Sequence, residues 1–224
     1  MAARLIVSYD GTTNDDDALA LGQMLVSGTE SVLALAYVRH SREYDPAREE
    51  IAEHDAMRRL EHGTTWLEDP DVARHVVLDP STGAGLGKLA AAEQASVVVF
   101  GSDYRTPPGR VEPGGAAQAL LSGGPVAVAV ARAGLRLGGH GAITTISVSP
   151  SEDDSAAQQT ASSLADATGA ELVTDEGAGP DLIVVGSSPT AAPGRVALSG
   201  AARARLDSAR SSVLVVARET PISF

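Results

Sequence analysis

Residues 97–121 read VVVFGSDYRTPPGRVEPGGAAQALL, and residues 182–206 read LIVVGSSPTAAPGRVALSGAARARL. Aligned without a gap, segments 101–121 and 186–206 agree at 11 of 21 positions. Each copy comprises an apolar strand, a turn marked by glycine, a loop containing Pro-Gly-Arg-Val, and the start of an alanine-rich helix. An internal repeat of this kind predicts two related lobes.

Composition restricts the classes of function that the chain can have. The formal net charge is −12, whereas a nucleic-acid-binding protein normally presents a basic face. The chain has no cysteine, which excludes disulfides, thiolate catalysis and zinc-cysteine sites. No segment approaches the ~18 consecutive apolar residues of a membrane span, and the N-terminus lacks the layout of a signal peptide. We therefore expect a soluble, cytoplasmic protein with neither nucleic acid nor membrane as partner. The composition, which is rich in Ala, Gly and Arg, predicts a bacterial source.

The first lobe, residues 1–131, alternates apolar strands with helices. Strands are expected at 5–9, 31–38, 74–78, 97–100 and 126–130, and helices at 14–27, 45–67 and 83–95 and from about 115. This alternation predicts an α/β fold with a doubly wound parallel sheet.

The second lobe, residues 142–224, follows a linker at 132–141 and is a reduced copy. From Asp10 to Gly101 is 91 positions, but the matching interval from Ser149 to Gly186 is only 37. A helix is expected at 152–168. Only seven residues then separate an apolar stub at 171–173 from the strand at Leu182, and a parallel crossover normally needs about a dozen residues or more. We therefore expect 171–173 to be a stub or loop and the second lobe to be mainly three-stranded.

Three stretches of the first lobe carry a resemblance to a known family. IVSYDGTTNDDDAL (6–19), DPSTGAGLGKLAAAEQASVVVFGS (79–102) and GGPVAVAV (123–130) make the chain resemble a tandem universal stress protein. The resemblance implies a flavodoxin-like sheet of order 3-2-1-4-5 and association through the fifth strands. In a tandem chain, segments 126–130 and 213–217 would pair within one molecule as an intrachain pseudo-dimer.

The nucleotide-binding branch of that family carries G-x2-G-x9-G-(S/T) after the fourth strand, where glycines and hydroxyls hold the phosphates. This chain has Gly101 at the first position but Tyr104 at the second, and no hydroxyl follows Gly114. The second lobe departs further, with Pro189 at the second position and Ser149 in place of Asp10. The resemblance thus predicts a degenerate nucleotide loop.

If a nucleotide site exists, we expect it in the first lobe, at the carboxyl ends of the strands. Asp10 would contact a ribose or a phosphate-bound metal, or else would be a turn aspartate bonded to its own backbone. The glycine-rich loop would cradle an anion, or else would be kept for packing. The candidate nucleotide-binding residues are Asp10, Gly11, Thr12, Val38, Gly101, Ser102, Gly109, Arg110, Gly114, Gly115 and Ala116.

Other patterns favour structural interpretations. STGAGLGKL (81–89) lacks the residues of a P-loop, and Asp15-Asp16-Asp17 is read as a solvated first turn of a helix. The histidines show no ligand spacing, and no Ser-His-Asp or paired-carboxylate arrangement stands out, so we assign no catalytic and no metal-binding residue. Arg110 and Arg195 occupy the same place in both copies, which favours a common role such as an interlobe ion pair.

Two functions follow. The first is a stress-response regulatory or binding protein, for which we favour a non-enzymatic role without a cofactor. It would contact a protein partner or a second copy of the chain through the helix at 45–67. The alternative is a protein that binds ATP or AMP with Mg in the first lobe, with slow ATPase activity. A nucleotidyl-transferring enzyme is disfavoured, because Asp10-Gly11-Thr12 lacks the glycine-rich turn of that fold group.

Overall fold

The computed structural model describes residues 3–138, 141–151, 154–174 and 179–224, and these residues contain one nine-stranded sheet. Its strands are β1 (Arg4–Ser8), β2 (Val32–Arg39), β3 (Ala73–Leu78), β4 (Val97–Phe100), β5 (Ala127–Val130), β6 (Thr145–Ser149), β7 (Glu171–Val173), β8 (Leu182–Gly186) and β9 (Ser212–Val216). The helices are α1 (Thr13–Val26), α2 (Pro46–Trp66), α3 (Thr82–Ala92), α4 (Gly115–Leu121), α5 (Ala156–Thr168) and α6 (Gly200–Ser208).

The sheet runs in the order β3-β2-β1-β4-β5-β9-β8-β6-β7. The first five strands are parallel and confirm the predicted order 3-2-1-4-5. The fifth strands of the two lobes, β5 and β9, pair antiparallel, with Val130 opposite Val213. The expected pairing within one chain is therefore confirmed, and it makes the two lobes one continuous sheet.

The valine-rich strands are buried because helices cover both faces of the sheet. On each face, buried side chains from both lobes form one cluster. Leu5, Leu35 and Leu164 belong to the cluster beneath α1, α2 and α5, whereas Ile6, Leu86 and Leu206 belong to the one beneath α3, α4 and α6. The core therefore runs across the lobe boundary without interruption.

The second lobe has one strand more than the sequence predicted. Residues Glu171–Val173 pair parallel with β6, so the lobe contains four strands and the prediction of a mainly three-stranded unit is wrong. A three-residue strand is only roughly 10 Å long, so a return within the roughly 23 Å reach of seven extended residues is sterically possible. Relative to the first lobe, the described residues of the second contain no counterpart of β3 or of the two helices around it, α2 and α3.

The segment after β5 lies against α1. Leu135–Gly138 forms a 3-10 turn there, and the buried carboxylate of Asp17 accepts hydrogen bonds from the amides of Gly134 (2.8 Å) and Arg136 (2.9 Å). Arg136 Nη1 also lies 2.9 Å from Asp17 Oδ2. For Asp17 the predicted solvated first turn is wrong, because the start of the linker covers a side chain that is only 1% exposed.

Two predicted segments reach beyond the described residues. The helix expected from residue 152 is observed as Ala156–Thr168, and Glu152 and Asp153 lie outside the described part. Gly139 and His140 of the predicted linker also lie outside it. Among the described helices, none has the length and apolar character to cross a bilayer.

Candidate functional site

The turn after β1 brings Asp10, Gly11 and Thr12 to the carboxyl edge of the sheet. Gly11 has a φ of 88°, a conformation that favours glycine, and Thr12 is the N-cap of α1. Oδ1 of Asp10 accepts a hydrogen bond from the amide of Thr12 at 3.1 Å, and the Asp10 carbonyl accepts one from Arg59 Nη1 at 2.8 Å. The carboxylate thus makes the hydrogen bond of an Asx turn, which is the structural alternative to ligand contact that the sequence offered for Asp10.

Asp15 closes this turn from within α1. Its Oδ2 accepts hydrogen bonds from the amides of Asp10 (3.0 Å) and Thr12 (3.1 Å) and from the Thr12 hydroxyl (2.9 Å). Burial, followed by the hydrogen bond and negative charge of the Asp10 carboxyl, raises the pKa of Asp15 to about 7. The carboxyl group of Asp15 is therefore protonated at slightly acidic pH.

A buried tyrosine links this turn to α2. The hydroxyl of Tyr9 lies 2.7 Å from Nδ1 of His62 and 3.4 Å from Oδ1 of Asp16. Burial and the neighbouring carboxylates, Asp16 first, raise the pKa of Tyr9. Burial likewise raises the pKa of Asp16. The hydroxyl therefore stays protonated and fixes the His62 ring at the rim of the site.

An open cleft of about 470 Å³ lies between the β1–α1 turn and α2. It is lined by Asp10, Gly11, Asp55, Arg58, Arg59 and His62. Arg58 is paired with Asp55, and the Arg59 guanidinium lies 5.4 Å from the centre of the Tyr37 ring. The residues from α2 were missed by sequence reasoning, although positions 58, 59 and 62 share one helical face at a spacing of three and four residues.

Ser102, directly after β4, is used inside the protein. Its side chain is only 4% exposed, and Oγ donates to the Ala131 carbonyl (2.6 Å) while accepting from the Glu112 amide (3.2 Å). A serine hydroxyl carries a single proton, so the bond to Ala131 leaves Ser102 no hydroxyl donor for a phosphate oxygen.

The second copy of the repeat makes the same bonds. The hydroxyl of Ser187 donates to the Val216 carbonyl at 2.7 Å and accepts from the Ala197 amide at 3.3 Å. Val216 and Ala197 are the counterparts, in the second lobe, of Ala131 and Glu112 in the first. In both lobes the serine therefore ties the loop to the end of the fifth strand.

The start of the loop packs directly on α1. A Cβ at Gly101 would lie 2.0 Å from the Asn14 carbonyl oxygen, and Asn14 Nδ2 donates to the Ser102 carbonyl at 2.9 Å. Gly186 also lies close to the backbone of Ser151, since a Cβ there would lie 2.7 Å from its nitrogen. Close backbone packing thus accounts for the glycine that begins each copy.

The Pro-Gly-Arg-Val turn joins the two lobes. Gly109 and Gly194 have φ of 76° and 73°, and the amides of Arg110 and Arg195 bond back across each turn at 3.2 and 3.0 Å. This is the type II turn that Pro-Gly favours. The guanidinium of Arg110 donates to the Ser208 carbonyl, and that of Arg195 donates to the Gly123 carbonyl. The predicted interlobe role is observed, but each acceptor is a carbonyl and not a carboxylate.

The remaining candidate residues do not line the cleft. Val38 is buried, and its Cγ1 lies 3.3 Å from the position of a Cβ on Gly85 in α3. Ala116 contacts the same helix, because a Cβ at Gly83 would lie 3.0 Å from the Ala116 carbonyl oxygen. Gly114 and Gly115 border open space, so packing gives no reason for glycine at either position.

The chemistry that this edge offers is hydrogen bonding and charge recognition. Within the described ranges no three His, Asp or Glu side chains lie close enough together to hold a metal ion. Several amides of the loop between β4 and α4 donate to carbonyl groups of the protein itself, namely those of Asp103, Thr106, Gly109 and Arg110. Cationic side chains and His62 nevertheless face solvent beside Asp10.

The fold defines the structural class to which this chain is similar. A universal stress protein from Archaeoglobus fulgidus matches it with a TM-score of 0.61 and 15% identity, over 96% of this chain and 98% of that chain. A functionally unknown protein from Pseudomonas aeruginosa PAO1 matches with a TM-score of 0.62 and 14% identity, over 97% and 93%. A third structure, described provisionally as a universal stress protein from P. aeruginosa UCBPP-PA14, matches with a TM-score of 0.64 and 14% identity, over 97% of this chain and 94% of that chain.

The likeness lies in three-dimensional structure, since no protein-family model and no curated protein matches the sequence. At identities of 14–15% it establishes the fold. The chain therefore has the fold of the universal stress proteins across both lobes.

Proposed function

We propose that the protein is a non-enzymatic regulatory or binding protein of the universal stress protein type, whose loop between β4 and α4 does not hold a nucleotide. The fold supports the assignment to the universal stress protein type. The hydrogen bonds of the loop support the absence of a nucleotide there, because its serine, its Pro-Gly turn and its arginine all bond within the molecule.

One observation carries this proposal. Ser102 and Ser187 make equivalent hydrogen bonds to the ends of β5 and β9, although the second lobe has no counterpart of Asp10. A bond that persists in the lobe without the rest of a nucleotide site serves the scaffold. The repeated stretch is therefore explained by lobe assembly.

The test is a nucleotide titration followed by melting temperature. Saturating a site stabilises a protein by RT ln(1 + [L]/Kd), about 2.7 kcal/mol at a hundredfold excess of ligand over Kd. With Mg and millimolar ATP, ADP or AMP, we expect no shift that depends on Asp10. A saturable shift that Asp10→Ala abolishes would contradict the proposal.

The second candidate function is ATP or AMP binding with Mg in the first lobe, with slow hydrolysis. Two observations favour it: the cleft beside Asp10 carries Arg58, Arg59 and His62, and Gly114 and Gly115 leave open space. An Arg59→Gln variant separates the two functions, because loss of an arginine at a nucleotide site weakens binding. A nucleotide-induced shift that this variant reduces would favour the second candidate.

For the partner we propose a second copy of the chain that contacts α2 and β3. Because β5 and β9 pair within one molecule, self-association has to use another surface, and β3 is an edge strand. Ile51 (60% exposed), Met57 (38%) and Leu78 (44%) place apolar surface there. Sedimentation velocity at rising concentration should show association that Leu78→Lys abolishes. Unchanged association in that variant would overturn the choice of surface.

A further inference from the structure

A second cavity, of about 310 Å³, lies where the two lobes and the linker meet. Its walls come from the end of α1, from the segments after β5 and before β6, and from the turns that precede β8 and β9. None of the candidate nucleotide-binding residues lines it. Ligand sites occur preferentially at such junctions, in pockets from roughly 300 Å³ upward.

Two arginines line this cavity without a partner. Arg132 is positioned by its amide, which donates to Ser212 Oγ at 3.2 Å, and Arg210 directly precedes the buried Ser211. Within the described part of the chain, neither guanidinium forms a hydrogen bond or an ion pair. Other arginines of this acidic chain do find carboxylates, as Arg39 does with Glu49 at 2.6 Å. No described residue therefore competes with a ligand for either guanidinium group.

Among the described residues that line the cavity, Asp181 is the one carboxylate, and the protein itself already occupies it. Oδ2 of Asp181 accepts four hydrogen bonds, at 2.7 to 3.2 Å, from the amides and hydroxyls of Thr144 and Thr145. Burial acts to raise the pKa of Asp181, but these hydrogen bonds outweigh it and lower the pKa. Asp181 thus fixes the turn before β8 to β6, and the two arginines give the described part of the lining a positive balance.

The rest of the lining is partly apolar. Met24 (8% exposed) and Leu135 (6%) contribute apolar side chains to the lining. A guanidinium presents its N–H groups as a planar fork that matches a carboxylate in two parallel hydrogen bonds. A ligand that suits this lining has a carboxylate for the arginines and a short hydrocarbon part for Met24 and Leu135.

We propose that the interlobe cavity binds a small organic carboxylate through Arg132 and Arg210. Because one arginine follows β5 and the other precedes β9, the bound anion bridges the two lobes. The site is independent of the proposed function, since it shares no residue with the loop between β4 and α4 or with the cleft beside Asp10.

The test is calorimetric titration of the full chain with succinate, phosphate and chloride at matched ionic strength. We expect saturable binding of succinate, with no such binding of chloride. Arg210→Gln, a change at an exposed position, should weaken succinate binding about tenfold or more by removing charge-assisted hydrogen bonds. Arg132→Lys keeps the charge but removes the fork, and should also weaken it.

The matched control is Arg203→Gln, which changes an exposed arginine of α6 and should leave succinate affinity unchanged. Succinate heats no different from chloride would overturn the proposal, as would undiminished affinity in a folded Arg210→Gln variant. Binding of phosphate without binding of succinate would overturn the assignment to carboxylates.

Discussion

Arg110 in the first lobe donates a hydrogen bond from Nη1 to the carbonyl of Ser208 in the second, across 3.4 Å. The repeat makes this contact reciprocal, because Arg195 donates to the carbonyl of Gly123 at 3.3 Å. Ser208 ends α6 and Gly123 follows α4, so each cation lies at the negative end of a helix in the other lobe. The stretch that the chain contains twice therefore builds the joint between its two halves.

The first prediction concerns these arginines. Arg110→Ala and Arg195→Ala should each lower the free energy of unfolding by about 0.5–1.5 kcal/mol, the range of one net hydrogen bond. Urea denaturation measures the loss, and Arg203→Ala on the exposed face of α6 is the matched control. Losses no larger than that of the control would show that the reciprocal contact contributes nothing.

The second prediction concerns the buried serines. Ser102→Ala leaves the Ala131 carbonyl without its donor, and Ser187→Ala does the same to Val216. Each change should cost about 1–3 kcal/mol, because a buried polar group loses its partner. Ser41→Ala, at an exposed position, should cost nothing measurable in the same denaturation experiment. If either buried serine could be replaced as freely as Ser41, its scaffold role would be refuted.

The third prediction concerns the linker. Asp17→Ala removes the acceptor of two amides and the partner of Arg136, so it should destabilise the protein by about 2–3 kcal/mol. Proteolysis in segment 132–141 should also accelerate. Asp166→Ala on the exposed side of α5 serves as the control. A protease-resistant variant of unchanged stability would disprove the clamp between Asp17 and the linker.

The fourth prediction is a pH dependence that originates at Asp15. Its pKa is raised to about 7 in the folded protein, so the folded state holds a proton that the unfolded chain releases near pH 4. The resulting stability is complete below about pH 4 and is lost as the pH rises to about 7. Asp15→Asn mimics the protonated form and should remove this dependence.

At pH 8 the Asp15→Asn variant should therefore be more stable than the parent chain, by roughly 1–2 kcal/mol once solvent screening at this part-exposed site is included. Near pH 4 the two proteins should be alike in this respect. Thermal unfolding across the range measures both. A parent chain and variant that respond identically to pH would contradict the raised pKa of Asp15.

The two-lobe architecture was predictable because hydrophobic periodicity indicates the strands and helices, and the internal repeat indicates two related lobes. Strand order and the pairing of β5 with β9 followed from the resemblance. The strand β7 was not predictable from chain length, because the usual crossover rule assumes strands of ordinary length, and Glu171–Val173 is only three residues long.

The candidate site was less predictable, because its contacts join residues far apart in the chain. The sequence predicted a solvent-facing carboxylate at Asp17, but in the structure the segment at Gly134 covers it. His62 showed no ligand spacing, yet its partner is Tyr9, which directly follows β1. The loop serine looked available to phosphate, and only the position of the Ala131 carbonyl reveals its use.

The central claim is that the loop between β4 and α4 holds the lobes together and not a nucleotide. Amide NMR spectra of the isotope-labelled chain, recorded with and without millimolar ATP and Mg, test it at the residues concerned. We predict that the amide signals of Gly109, Gly114 and Gly115 stay in place. Saturable shifts of these signals, lost in Asp10→Ala, would contradict the account.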